Sequence, residues 1–284
     1  MSEKKLLEII PDAYDQIETI YKSEPFELTG FNDLDEMMYG FNGGIITIAA
    51  RPAMGETSFL YSVMENILNK NKKTLLFTIE RSKEQAVQHL LCMNAEIDSI
   101  HVRRGNMLEK DWENLAASID RIADWELYIN DTPMITTEEI EKSIQKNKPD
   151  FVCIDYLQLI HTKSKKDRNF QIEDIMQNLS KIAKENGVII FLLSQLSRAL
   201  EERTDKRPLL SDLRGSSAIE SLSDVVMFIY RPEYYGHDED AIIQEGETEI
   251  IVAKNKFGSV GTARLIFNYA FCKFFPAVRT TYEF

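Results

Sequence analysis

IITIAARPAMGETSFLYSV, residues 45–63, opens as an unbroken apolar run, turns through Arg51 to Gly55, and resumes with the apolar spacing of a helix. A strand, a tight turn and a helix in that order are the layout of a phosphate-binding loop of the pattern G-x-x-x-x-G-K-S/T. Ala50 stands at the first glycine position, Gly55 at the second and Thr57 at the hydroxyl position, but the lysine position holds Glu56. In an intact loop the backbone N–H groups and the helix N-terminus cradle phosphates, the lysine neutralises their oxygens, and the hydroxyl holds magnesium. Arg51, Pro52, Ala53, Met54, Gly55, Glu56, Thr57 and Ser58 are therefore the candidate set for ATP, with Mg2+ at Thr57. A unit charge about 4 Å from another contributes about 4 kcal/mol at an effective dielectric of about 20, so reversing its sign costs up to about twice that. Turnover should suffer accordingly. A glutamate in a first helical turn also complements the helix dipole, but its place in RPAMG-TS makes the altered loop the better reading.

Outward from this loop the chain alternates continuous apolar runs with helical stretches. The runs are IITIAA, TLLFTIE, ELYIND, FVCIDY, VIIFLLSQ, VVMFIY, EIIVAKN and ARLIFNY. Continuous apolar strands suit a parallel sheet buried on both faces, and the helices SFLYSVMENILNK, KEQAVQHLLCMNAE, MLEKDWENLAASIDRIADW and NFQIEDIMQNLSKIAKENG complete a doubly wound α/β reading. The last two strands, joined by the short turn Phe257 to Gly261, predict an antiparallel hairpin. Ahead of the sheet, Pro11 suits a first helical position, and Tyr14, Ile17, Ile20 and Tyr21 follow at helical spacing. Residues 1–27 are thus expected to be a linker helix and 28–284 one α/β domain. The helix packs either on its own domain or on a neighbouring subunit.

With 284 residues, 44% hydrophobic, one large domain can be built. The net charge of −13 argues against a protein that coats nucleic acid non-specifically, while a local basic loop remains compatible with a phosphate backbone. Cys92, Cys153 and Cys272 are scattered in apolar contexts and predict reduced thiols, hence a cytoplasmic setting. The apolar run at the N-terminus is too short for a signal peptide or membrane span. The four histidines have no spacing that suits zinc.

The ordered phrases LTGFNDLDEMMYGF, ARPAMG, IDYLQLI, LLSQLSR, RPLLSDLRGSSAIESLSDVVMFIYRPEYY and IIVAKNKFGSVGTARLIFN cover nearly the whole chain. In this set the chain resembles the C-terminal motor domain of DnaB-type replicative DNA helicases. The resemblance implies a RecA-like α/β fold, a mostly parallel sheet with antiparallel C-terminal strands, and a homo-oligomer, a hexamer in the family, around single-stranded DNA. Primase and a helicase loader are the further partners it implies. The family's N-terminal helical domain has no counterpart in these residues.

Carried over residue by residue, the resemblance makes Glu80 the general base, at the end of LLFTIE, where a surface carboxylate is the alternative. It makes Asp155 a carboxylate of the magnesium shell. Gln195 becomes the γ-phosphate sensor, with a purely structural buried amide as the alternative. The family inserts an arginine of a KQR or KNR sequence into the neighbouring subunit's site; here the sequence is Lys254-Asn255-Lys256. Lys256 keeps the charge and loses the bidentate fork. Lys254 either contacts the same phosphate or is a solvated strand-end lysine.

Ser211 to Ala218 resembles the family's pore loop, which makes Arg214, Gly215 and Ser217 the DNA-binding candidates. Gly215 and Ser217 replace the glutamate and glycine of the family pattern. The run HTKSKKDRN, with Lys163, Lys165, Lys166 and Arg168, reads as a solvated loop or a second DNA loop. The expected function is an ATP-dependent helicase motor impaired at Glu56. A non-catalytic DNA-binding ring subunit and a RecA-like recombinase are the rival readings.

Overall fold

The computed structural model describes residues 5–22, 28–38, 43–213, 216–235 and 245–277. Its strands are β1 (Gly44–Ala50), β2 (Thr74–Thr78), β3 (Leu127–Asn130), β4 (Phe151–Asp155), β5 (Ile189–Gln195), β6 (Val225–Tyr230), β7 (Glu247–Asn255), β8 (Gly261–Asn268) and β9 (Lys273–Pro276). They form one sheet in the order β3-β2-β4-β5-β1-β6-β7-β8-β9. The first six in that order pair in parallel, and β7, β8 and β9 continue antiparallel. The helices are α1 (Leu6–Lys22), α2 (Asn32–Met37), α3 (Glu56–Leu68), α4 (Lys83–Asn94), α5 (Ser99–Arg104), α6 (Glu109–Ile122), α7 (Thr137–Asn147), α8 (Arg168–Asn186) and α9 (Ser216–Leu222).

The sheet is central because its strands bury both faces. Alternate residues of a strand point to opposite sides, so Ile46 and Ile48 of β1 join Phe59 and Val63 of α3 in one core. Ile45 and Ala49 join Ile172, Ile175 and Leu179 of α8 in the other. Every strand and helix read from the apolar pattern is present, as is the antiparallel hairpin β7–β8. Four helices and a strand escaped that reading: α2, α5, α7, α9 and β9. The α7 start carries a capping box, Thr136 with Glu139, that announces a helix in sequence.

One expectation is corrected. Pro11 does not open a helix; it lies inside α1, which starts at Leu6. The apolar face continues across it, since Leu6, Leu7 and Ile10 precede it at the spacing that Tyr14, Ile17 and Tyr21 prolong. These side chains are exposed, from 49% at Ile10 to 87% at Tyr21. Of the three free thiols, Cys153 is buried in β4, whereas Cys92 and Cys272 are only half-buried.

Candidate functional site

The carboxyl-terminal ends of β1, β2, β4 and β5 converge at one sheet edge, the position at which open α/β sheets bind ligands. At the end of β1, Ala50 is the rung partner of Gln195, and its carbonyl accepts from Leu196 N–H at 3.1 Å. The chain then turns tightly, with Met54 N–H donating to Arg51 O at 3.3 Å. Gly55 has φ 93°, and a Cβ there would meet the Phe274 ring at 3.3 Å, so glycine is required on both grounds. α3 starts immediately after it, with an N-cap residue that has no side chain to cap the first turn. Met54 and Ser58 are buried, and Pro52 and Ala53 are exposed.

Thr57 Oγ1 donates to Asp155 Oδ2 at 3.0 Å. Asp155 is buried at the end of β4, and burial pushes its carboxyl up to about 6, against the Thr57 hydrogen bond and the charge of Arg81. A hydroxyl and a buried carboxylate at this distance are oxygen donors of the kind a hard divalent cation takes. Among the described residues no group of three or more His, Cys, Asp or Glu side chains forms a metal cluster. Glu56, next to Thr57, is half-buried. Burial raises its carboxyl to about 7, its own N–H works against the rise, Asp155 and Glu80 add to it, and Arg81 again opposes. The carboxyl thus feels like charges from Asp155 and Glu80, with Arg81 as the opposing cation.

Glu80 follows β2 at the same edge and is exposed. Thr78 is the rung partner of Asp155, and Ile79 N–H donates to Asp155 O at 3.0 Å, which fixes the base of Glu80 beside the Thr57–Asp155 pair. Gln195 is half-buried at the tip of β5, and its N–H donates to Gln158 Oε1 at 3.3 Å. Gln158 in turn donates to Ser194 Oγ at 3.0 Å. The next residue, Leu196, forms an antiparallel bridge with Leu213.

Several pairings around the loop were not legible in the sequence. Arg51 is committed to Glu201 at 2.9 Å and to Leu196 O at 3.3 Å. Arg231 reaches the loop, donating to Ala53 O at 3.1 Å while pairing with Glu233 at 2.9 Å and lying 4.4 Å over the Tyr269 ring. Arg81 Nη1 stands 3.2 Å from His89 Nδ1. The phrase YRPEYY gave no hint that Arg231 would span 178 positions to the loop.

Lys254 and Lys256 stand elsewhere. Asp224, which bonds Ile45 N–H at 2.9 Å at the start of β1, pairs with Lys256 at 2.8 Å, so these lysines occupy the edge opposite their own loop. Lys254 is not a solvated lysine, since it donates to the carbonyls of Glu220, Ser221 and Ser223 behind α9. Arg214 and Gly215 lie outside the described residues; Ser217 is exposed in the first turn of α9. Arg168 is exposed and donates to Gln158 O and Gln171 Oε1, while Lys166 lies 5.3 Å over the Phe170 ring.

Residues 28–276 match the family model described as DnaB-like helicase C terminal domain. The chain is 36% identical over 283 residues to the replicative DNA helicase DnaB of Geobacillus stearothermophilus, covering 95% of this chain and 62% of that protein. It is 38% identical over 282 residues to a probable replicative DNA helicase of Trieres chinensis, again 62% of that protein. The chain thus spans less than two thirds of the length of these relatives. Among solved structures, the ATPase domain of G40P superposes with a TM-score of 0.89 at 32% identity, covering 98% of this chain and 100% of that one. A DnaB-like replicative helicase, described with its interactions with primase, superposes with a TM-score of 0.86 at 32% identity, covering 98% and 68%. With the loop, the paired Thr57 and Asp155 and the sheet order already in place, these matches mean that the chain belongs to the DnaB-like helicase C-terminal domain family.

Proposed function

We propose that this chain is the motor domain of an ATP-dependent replicative DNA helicase, acting as a hexameric ring on single-stranded DNA in the cytoplasm, with hydrolysis slowed by Glu56. The observation that carries this reading is the 3.0 Å contact of Thr57 with Asp155 at the end of a glycine-turned loop, beside Glu80 and Gln195. Thr57 and Asp155 are the residues that would hold Mg2+, whose charge would offset that of a bound phosphate. Glu80 is placed to take a proton from a water at the sheet edge. Gln195 reads the γ-phosphate position and passes its movement through the Leu196–Leu213 bridge to the segment beginning Arg214, which with Gly215 and Ser217 holds a sugar–phosphate backbone.

Assembly follows from two surfaces. The exposed apolar face of α1 has a counterpart in an apolar groove of about 740 Å³ lined by Val87, Leu91, Val102, Met107, Trp112 and Leu115. Each chain offers both a helix and a groove, the heterologous arrangement that closes into rings. A ring also brings Lys256, at the far edge of its own sheet, toward a neighbour's loop. Primase and a loader remain the expected partners, the first by analogy with the helicase solved with primase.

A non-catalytic ring subunit is the second reading, favoured by the carboxyl of Glu56 in place of a lysine at the phosphate loop. Single-strand-stimulated ATP hydrolysis of this chain beside Glu56→Lys separates the two. Turnover in the lysine variant alone, or in both, supports the motor; no turnover in either supports the non-catalytic subunit. Filaments on DNA in place of closed rings favour a recombinase.

A further inference from the structure

We infer that Arg81 is the phosphate-binding cation of this site, supplying from the end of β2 the positive charge that the loop lacks at Glu56. The inference rests on the nucleotide-binding reading above and adds a residue to it.

Three observations lead to Arg81. Its backbone is fixed at the correct edge: Thr78 Oγ1 donates to Arg81 O at 3.1 Å, and Thr78 is the rung partner of Asp155. Its side chain borders a cavity of about 410 Å³ together with Ser58 of the first turn of α3, Gln85, His89 and Arg103. It is also a guanidinium not spent on a carboxylate. Arg51 pairs with Glu201 and Arg231 with Glu233, each at 2.9 Å, whereas among the described residues Arg81 has no ion pair within 4 Å. Its partner is the His89 ring nitrogen at 3.2 Å.

That partner explains how the charge is kept available. To accept from Arg81, Nδ1 must be unprotonated, so the imidazole is neutral; burial, with Arg81 adding to it, lowers its pKa to about 4. A neutral acceptor orients a guanidinium without cancelling its charge, leaving its other N–H groups for an anion. Arg81 acts electrostatically on both Glu56 and Asp155, the residues that flank the phosphate position. Guanidinium geometry matches two phosphate oxygens at once.

The test is titration of a fluorescent ATP analogue with magnesium into this chain, Arg81→Gln, Arg81→Lys, Glu56→Lys and the Glu56→Lys/Arg81→Gln double variant. Melting temperatures confirm that each is folded. Arg81→Gln is expected to weaken binding about tenfold or more, the scale of one charge-assisted contact, and Arg81→Lys to restore most of it. With lysine at position 56, Arg81→Gln should cost less than about threefold, because the charge is then supplied twice. Equal losses in both backgrounds would mean that Arg81 only shapes the fold, and the inference falls. It falls too if Arg81→Gln binds like the parent, or if the parent fails to bind while Glu56→Lys binds; the nucleotide reading survives both results. Absence of binding in the parent and in Glu56→Lys alike would remove the nucleotide reading itself.

Discussion

Leu196 and Leu213 pair in an antiparallel bridge, one residue beyond Gln195 and one residue before Arg214. Both side chains are 2% exposed, and Ser197 N–H donates to Asp212 O at 2.7 Å beside them. The tip of β5 is therefore clamped to the base of the proposed DNA loop. Leu213→Pro removes the Leu213 N–H, which donates to Leu210 O at 3.2 Å, and breaks the local geometry. In a Glu56→Lys background it should leave ATP affinity unchanged and reduce single-strand stimulation of hydrolysis about fivefold or more, the scale of an ordinary coupling energy. Retained stimulation would place the coupling elsewhere.

Thr57→Val keeps the shape of the side chain and deletes the hydroxyl that meets Asp155. Magnesium should then strengthen nucleotide binding far less than in the parent, with affinity in EDTA nearly the same for both. Titration with and without the metal reads this directly.

His89 sets a pH dependence. Its pKa falls from 6.5 to about 4 on folding, with burial as the first cause. Between those values the unfolded chain binds more protons than the folded one, so stability falls as pH drops from about 6.5 and levels off below about 4. His89→Gln, whose amide oxygen still accepts from Arg81, should flatten the melting-temperature profile across that window. An unchanged slope would assign the effect to other groups.

Gly44 has φ 121°, and a Cβ there would lie 2.1 Å from Asp224 Oδ2. Asp224 has no freedom to yield, since it bonds Ile45 N–H and pairs with Lys256. Gly44→Ala should cost about 2–4 kcal/mol in denaturant unfolding, from backbone strain and the lost bonds together.

Ile10→Asp combined with Tyr14→Asp tests what α1 packs on. Both side chains are exposed in the single chain. If they dock on a neighbour, light scattering should show loss of the oligomer with the melting temperature of the monomer unchanged. A fall in melting temperature without a change in mass would mean that the helix packs on its own domain.

The sheet and the loop were legible in the sequence for a local reason. A strand buried on both faces must be continuously apolar, and the loop carries glycine at the position before its helix, where φ is 93°; both leave marks within a few residues, as in IITIAA and at Gly55. β9 and α9 left weaker marks because they are short and their stability comes from contacts, with β9 leaning on α3 and on β8.

By itself the sequence determined the first eight strands and the longer helices between them, the missing lysine and the types of groups that end those strands. Only the tertiary structure decided who meets whom. Thr57 and Asp155 are 98 positions apart, Arg51 and Glu201 are 150, and neither separation follows from any local period. Such pairings are set by strand order and register, because the sheet brings the ends of β1, β2, β4 and β5 to one edge. The same geometry decided that Arg51 is neutralised, that Lys256 faces away from its own loop, and that Arg81 is held by a neutral ring next to Glu56. Charge is written in the sequence, but its availability depends on the partner across the fold.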